Sequence, residues 1–131
     1  MQRNEFTIHG RLPSFNDYVN ACRAHWSKGA KMKEDTENMI VWFIKAAQSK
    51  KQCWPVEKPV RITFFWYEYG LKRDIDNIYS AKKYILDAMQ KAGIIENDDR
   101  KHVVDVDDVI LQTSAGHDKV VVYIQEVDEH A

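Results

Sequence analysis

Cysteine is scarce in this chain. Cys22 and Cys53 are its two, far apart and with no Cys-x-x-Cys spacing, so neither a disulfide framework nor a zinc site is indicated. Proline is rarer than one residue in forty, and glycine little commoner. That excludes a proline- or glycine-rich linker and leaves most of the chain free to form regular elements. No run of eighteen apolar residues occurs, and no basic-then-apolar amino terminus precedes a cleavage site. Neither a membrane span nor a secretory signal is expected, and the cytoplasm is the default compartment. Charge of one sign is also missing, since 19 Lys and Arg face 20 Asp and Glu for a net −1.

What is present is a 131-residue sequence, 44% hydrophobic and 30% charged, enough for one domain with its own core over residues 1–131. The near-zero charge conceals an asymmetry. Residues 1–52 carry nine basic side chains against five acidic ones, and residues 53–92 carry seven against five. Residues 93–131 carry three against ten. Two-thirds of the chain is therefore mildly basic, with the acidity collected near the carboxyl end, which is either solvated surface or an acidic site.

Periodicity predicts a β-α-β-α-β-β order. Phe6 to Gly10 alternates as a strand, Leu12 to Asp17 has turn chemistry, and Lys28 to Lys50 places Met32, Met39, Ile40, Phe43, Ile44 and Ala47 on one helical face. Val60 to Tyr67 is β-branched and aromatic. Residues 77–92 form an apolar stripe through Ile78, Ala81, Ile85, Ala88 and Met89, closed by Ala92-Gly93. Val103–Gln112 and Lys119–Val127 are two further strands. The expected fold class is α+β, two helices packed on a mixed sheet.

The chemistry-bearing segment is Arg73-Asp74-Ile75-Asp76-Asn77, answered about twenty residues later by Asn97-Asp98-Asp99-Arg100. Carboxylates at i and i+2 share a side if the backbone is extended. A third returning beyond a helix would complete an oxygen-rich site of the kind Mg²⁺ or Mn²⁺ prefers, and the adjacent Lys72-Arg73 invites an anion. The plainer reading is that these Asp and Asn residues are helix caps and turn formers. For Lys82-Lys83 it is a solvated helix face. Asp105, Asp107 and Asp108, alternating with valines, are expected on an outer strand face. Phe64 to Tyr67 are expected in the core and at an interface between copies.

As a set, Lys72-Arg73-Asp74-Ile75-Asp76-Asn77, Lys83, Asp87-Ala88-Met89, Ala92-Gly93-Ile94-Ile95 and Asp98-Asp99 resemble the RusA-type Holliday junction resolvases. Leu12-Pro13-Ser14-Phe15-Asn16 is similar to that family's opening loop, and the resemblance spans roughly residues 5–127. It implies a homodimeric, Mg²⁺-dependent (Mn²⁺-tolerant) crossover junction endodeoxyribonuclease, bacterial or phage-encoded, cutting four-way DNA in recombination and repair by paired symmetric nicks. It implies catalytic roles for Asp74, Asp76, Asp98 and Lys83, and metal ligation by Asp74, Asp76 and Asp98, with Asp99 as the alternative third ligand. The family's lysine lies one turn after the second aspartate, where this chain has Ser80; three inserted residues carry the role to Lys83, with Lys82 as the alternative. Asn16, Lys31, Lys72 and Arg73 are the expected DNA contacts. The competing reading is a non-catalytic module that binds branched DNA with the same fold.

Overall fold

The computed structural model describes residues 2–128. Its elements are β1 (Asn4–His9), α1 (Phe15–Ala24), α2 (Trp26–Ser49), β2 (Val60–Glu68), α3 (Ile75–Tyr79), α4 (Lys82–Lys91), β3 (Val103–Gln112) and β4 (Lys119–Glu126). The four strands make one sheet in the order β1-β4-β2-β3. β4 runs antiparallel to both β1 and β2, whereas β2 and β3 are parallel. The fold is α+β with a mixed open sheet, as the strand and helix periodicities predict.

Alternation decides which face is buried. Phe6 and Ile8, Ile62, Phe64 and Trp66, and Val120, Val122 and Ile124 point to one side and form the core. Ile40, Ile44 and Ala47 of α2 pack on them together with Ile85, Ala88 and Met89 of α4. The other face carries Thr63, Phe65, Tyr67, Val121 and Tyr123, half-buried. Cations lie over two of these rings: Lys119 is 4.8 Å from the Tyr67 centroid and Arg3 is 5.2 Å from that of Tyr123.

Three local details depart from the periodicity. The turn-like segment Leu12–Asp17 contains the start of a helix: Asp17 N–H donates to Ser14 Oγ (3.2 Å) while Ser14 N–H donates to the Asp17 carboxylate (2.8 Å). This capping box launches α1 at Phe15. The helix expected over 77–92 is two shorter ones, with Ser80 and Ala81 between them. Its end is as expected, because Gly93 (φ +75°) lets Ile94 N–H reach Met89 O and Gly93 N–H reach Gln90 O. Finally, Asp108 is not on the outer face. Its register partner is Phe64, so it points inward, whereas Asp105 and Asp107 pair with Arg61 and Thr63 outside.

That inward Asp108 holds α4 to the sheet. Lys82 Nζ lies 2.6 Å from Asp108 Oδ2, Trp66 Nε1 donates to Asp108 Oδ1 at 2.9 Å, and the ammonium also lies over the rings of Tyr79 and Phe64. Replacing Asp108 with alanine removes both hydrogen bonds and strands a half-buried ammonium. Urea unfolding of Asp108→Ala is expected to show a loss of about 1.5–3 kcal/mol, the range for hydrogen bonds to charged groups. Asp107→Ala, on the exposed face, is expected to lose less than about 0.5 kcal/mol.

Candidate functional site

β2 and β3 are parallel neighbours, so the chain between them must travel back along the sheet, and α3 and α4 make that return. The acidic segments stand at its two ends. Asp74 occupies the N-cap of α3 with extended backbone (φ −66°, ψ 152°), and Asp76 lies in the helix's first turn. The i, i+2 alternation of a strand therefore does not govern this pair. Asp74 holds the capping position but its side chain makes no capping bond. Both carboxylates are exposed, and among the described residues neither has a hydrogen-bond or ion-pair partner.

The other candidates are spoken for. Lys83 Nζ lies 2.8 Å from Asp98 Oδ2 and 3.0 Å from Asp87 Oδ1. Hydrogen bonds to Asp98 and then Asp87 hold its proton more tightly than usual, raising its pKa. At neutral pH Lys83 is thus a fixed positive charge, suited to stabilising an anion and unsuited to removing a proton. The structure brings together Lys83 and Asp98, two of the residues the resemblance singles out. Lys82, the alternative lysine, is taken up by Asp108 and Trp66.

Asp99 faces away, toward the entrance of β3. Its Oδ1 accepts from the Lys101 and His102 N–H groups and lies 2.6 Å from His102 Nδ1. The bond to His102 lowers the Asp99 pKa, and the same contact raises that of His102. Asp98 reaches Lys83, which lies seven residues beyond Asp76 and past the break between α3 and α4. Among the described residues no group of three or more His, Cys, Asp or Glu side chains is close enough to hold a metal ion. The donor set that remains is Asp74 and Asp76. That fits the way Mg²⁺ is commonly held, by one or two carboxylates with water and substrate phosphate completing its shell.

Of the expected DNA contacts, Lys72 is exposed at the loop before α3, and Lys31 is exposed while pairing with Asp35 at 3.0 Å. Arg73 is turned inward: its Nε is 3.6 Å from Glu68 Oε1 and one terminal nitrogen donates to Asn77 O at 3.3 Å. It braces the loop that presents Asp74. Glu68 is buried at the end of β2, and burial raises its pKa against the pull of Arg73 and Arg11. Arg11 also binds Asp118 at 2.7 Å, closing the neighbouring loops around this carboxylate.

Sequence reasoning did not find the work of Ser80. Its Oγ accepts from Phe15 N–H (2.8 Å) and donates to Asn77 O (2.8 Å), while Asn16 Nδ2 donates to Asn77 Oδ1 at 3.1 Å. The start of α1 is thereby stitched to the start of α3. Only the capping-box spacing of Ser14 and Asp17 hinted at a helix there.

No protein-family model matches this chain, and no curated protein matches it. No helix among the described residues is long and apolar enough to cross a membrane.

The Asp99–His102 contact has a defined pH signature. Because the native His102 pKa is raised above 6.5, its share of stability is complete below about pH 6.5 and fades as pH rises through the native value. Asp99, with its pKa lowered from 3.8, contributes above that value and loses its share as pH falls. NMR titration is expected to place the His102 ring midpoint above 6.5 in the native chain and closer to 6.5 in Asp99→Asn. An unchanged midpoint in the variant would assign the shift to other groups.

Proposed function

We propose that the chain is a divalent-cation-dependent endodeoxyribonuclease of the RusA resolvase kind, acting on four-way DNA junctions as a homodimer. The observation that carries this reading is the pair Asp74 and Asp76. They head a helix, exposed and without a protein partner, although Asp74 stands where a capping bond is ordinarily made. Carboxylates left unspent beside Lys72 and within two turns of a doubly anchored lysine are what metal-assisted phosphodiester hydrolysis uses.

In this reading Asp74 and Asp76 hold Mg²⁺, or Mn²⁺ in its place. Bound there, such an ion would neutralise charge at the phosphate and help to activate the attacking water. The chain's own residues do the rest. Lys83, held protonated by Asp87 and Asp98, places positive charge where the phosphate becomes more negative. Lys72 meets a flanking phosphate. Arg73 and Asn77 keep the presenting loop in place through Glu68 and Ser80. A four-way junction has two-fold symmetry, so symmetric nicks need two such sites related by a matching axis. Phe65 and Tyr67, on the face of the sheet that no helix covers, supply an apolar surface for the second copy.

A second reading, a branched-DNA-binding module without turnover, draws on two observations. Among the described residues no three carboxylates stand close enough together to hold one ion, and Ser80, at the position of the family's lysine, is committed to Phe15 and Asn77.

Synthetic four-way junction and linear duplex, each with Mg²⁺, Mn²⁺ or EDTA, separate the two. Metal-dependent paired nicks confined to the junction support the enzyme, and junction binding without cutting supports the module. Asp76→Asn is expected to reduce nicking by at least about a hundredfold with binding little changed; normal cleavage by that variant would remove Asp76 from the chemistry. Phe65→Glu is expected to shift the sedimentation coefficient to that of a monomer, and an unchanged value would place the dimer contact elsewhere.

A further inference from the structure

Between the first turn of α1, the first half of α2 and the start of α4 lies a cleft of about 210 Å³ that shares Lys83 with the proposed chemistry. Three aromatic rings line it: Phe15, Tyr18 and Tyr84. Phe15 is 60% exposed at its mouth, whereas Tyr84 is buried at its floor. Lys33 and Lys83 stand at the rim with Asp87 between them, at 4.0 and 3.0 Å from its two oxygens.

We infer that this cleft binds one nucleotide of a single DNA strand, the base against the rings and its phosphate on the solvent side of the two lysines, away from Asp87. The volume admits one planar ring system and excludes a duplex. Flat apolar walls suit a base regardless of its identity, since every base has a π-face. An ammonium has three donors. Lys83 spends two of them, on Asp87 and Asp98, and Lys33 spends one at most, so both retain donors for a phosphate. Next to Phe15 in the chain, the exposed Asn16 amide keeps its oxygen free while its Nδ2 donates to Asn77 Oδ1 at 3.1 Å. In linear duplex each base is paired and stacked, so a nucleotide reaches the cleft only from a single strand or where a duplex is distorted.

The inference rests on the reading of the chain as a DNA-processing protein, but its test needs no cleavage. Short single-stranded oligothymidylate is titrated onto the intact protein in EDTA, followed by anisotropy. Phe15→Ala is expected to weaken binding about tenfold, the loss of one stacked base. Phe15→Trp is expected to restore it, and Trp42→Ala, an exposed aromatic outside the cleft, to leave it unchanged. Lys33→Ala is expected to lower the slope of log affinity against log salt by about 0.7, one single-strand phosphate contact. Absence of oligonucleotide binding by the native protein overturns the inference, as does equal binding by Phe15→Ala. A fall in oligomer mass in Phe15→Ala with unchanged DNA binding overturns it too, making the cleft a contact between copies. Phe15-dependent binding by a protein that never nicks a junction retains the cleft and removes the nuclease. Nicking with binding indifferent to Phe15 does the reverse.

Discussion

The ion pair of Lys82 with Asp108 sets the geometry on which the rest of the candidate site depends. Successive residues on a helix stand about 100° apart. With Lys82 drawn down to the sheet through Asp108 and Trp66, Lys83 must face the flank, and there it meets Asp87 and Asp98. Adjacent lysines thus take different work from one helix turn. Lys82 is half-buried, surrounded by Trp66, Phe64 and Tyr79, and holds the return path of the chain against β2. Lys83 is exposed and carries a charge that two carboxylates keep in place.

Four carboxylates of the last third of the chain are spent on cations, three of them distant in sequence. Asp98 serves Lys83, Asp99 serves His102, Asp108 serves Lys82 and Asp118 serves Arg11. Asp105 and Asp107 lie on the outer face of β3, which is an edge strand ten residues long. Charges there oppose pairing with another sheet edge. Around α3 the exposed Lys72 and Lys83 stand among the exposed carboxylates of Asp74 and Asp76.

Two contacts tie the amino-terminal segment to this region: Phe15 N–H to Ser80 Oγ, and the Asn16 and Asn77 amides. Through them α1 faces α3 and α4, and the aromatic cleft lies beside Lys83.

Strand positions were legible because alternation of buried and exposed residues is a local property: Val60 to Tyr67, Val103 to Gln112 and Lys119 to Val127 fall within a residue of the observed strands. The stripe through Ile78, Ile85 and Met89 likewise marked the face of α3 and α4 that packs inward. Asp74, Asp76 and Lys83 stood out by spacing and by likeness to a family. What the sequence by itself determined was therefore the order of the strands and of the helical stretches other than α1, most of their buried faces (Met39, expected inside, is exposed) and the list of chemically capable residues, all of which follow from neighbours along the chain. Which carboxylate spends its charge on which cation was decided only by tertiary structure. That Asp108 turns inward to Lys82, that Asp98 meets Lys83 while Asp99 turns to His102, and that Ser80 receives α1 are outcomes of sheet register and helix azimuth. Those are set by how distant segments pack, and no local pattern encodes them.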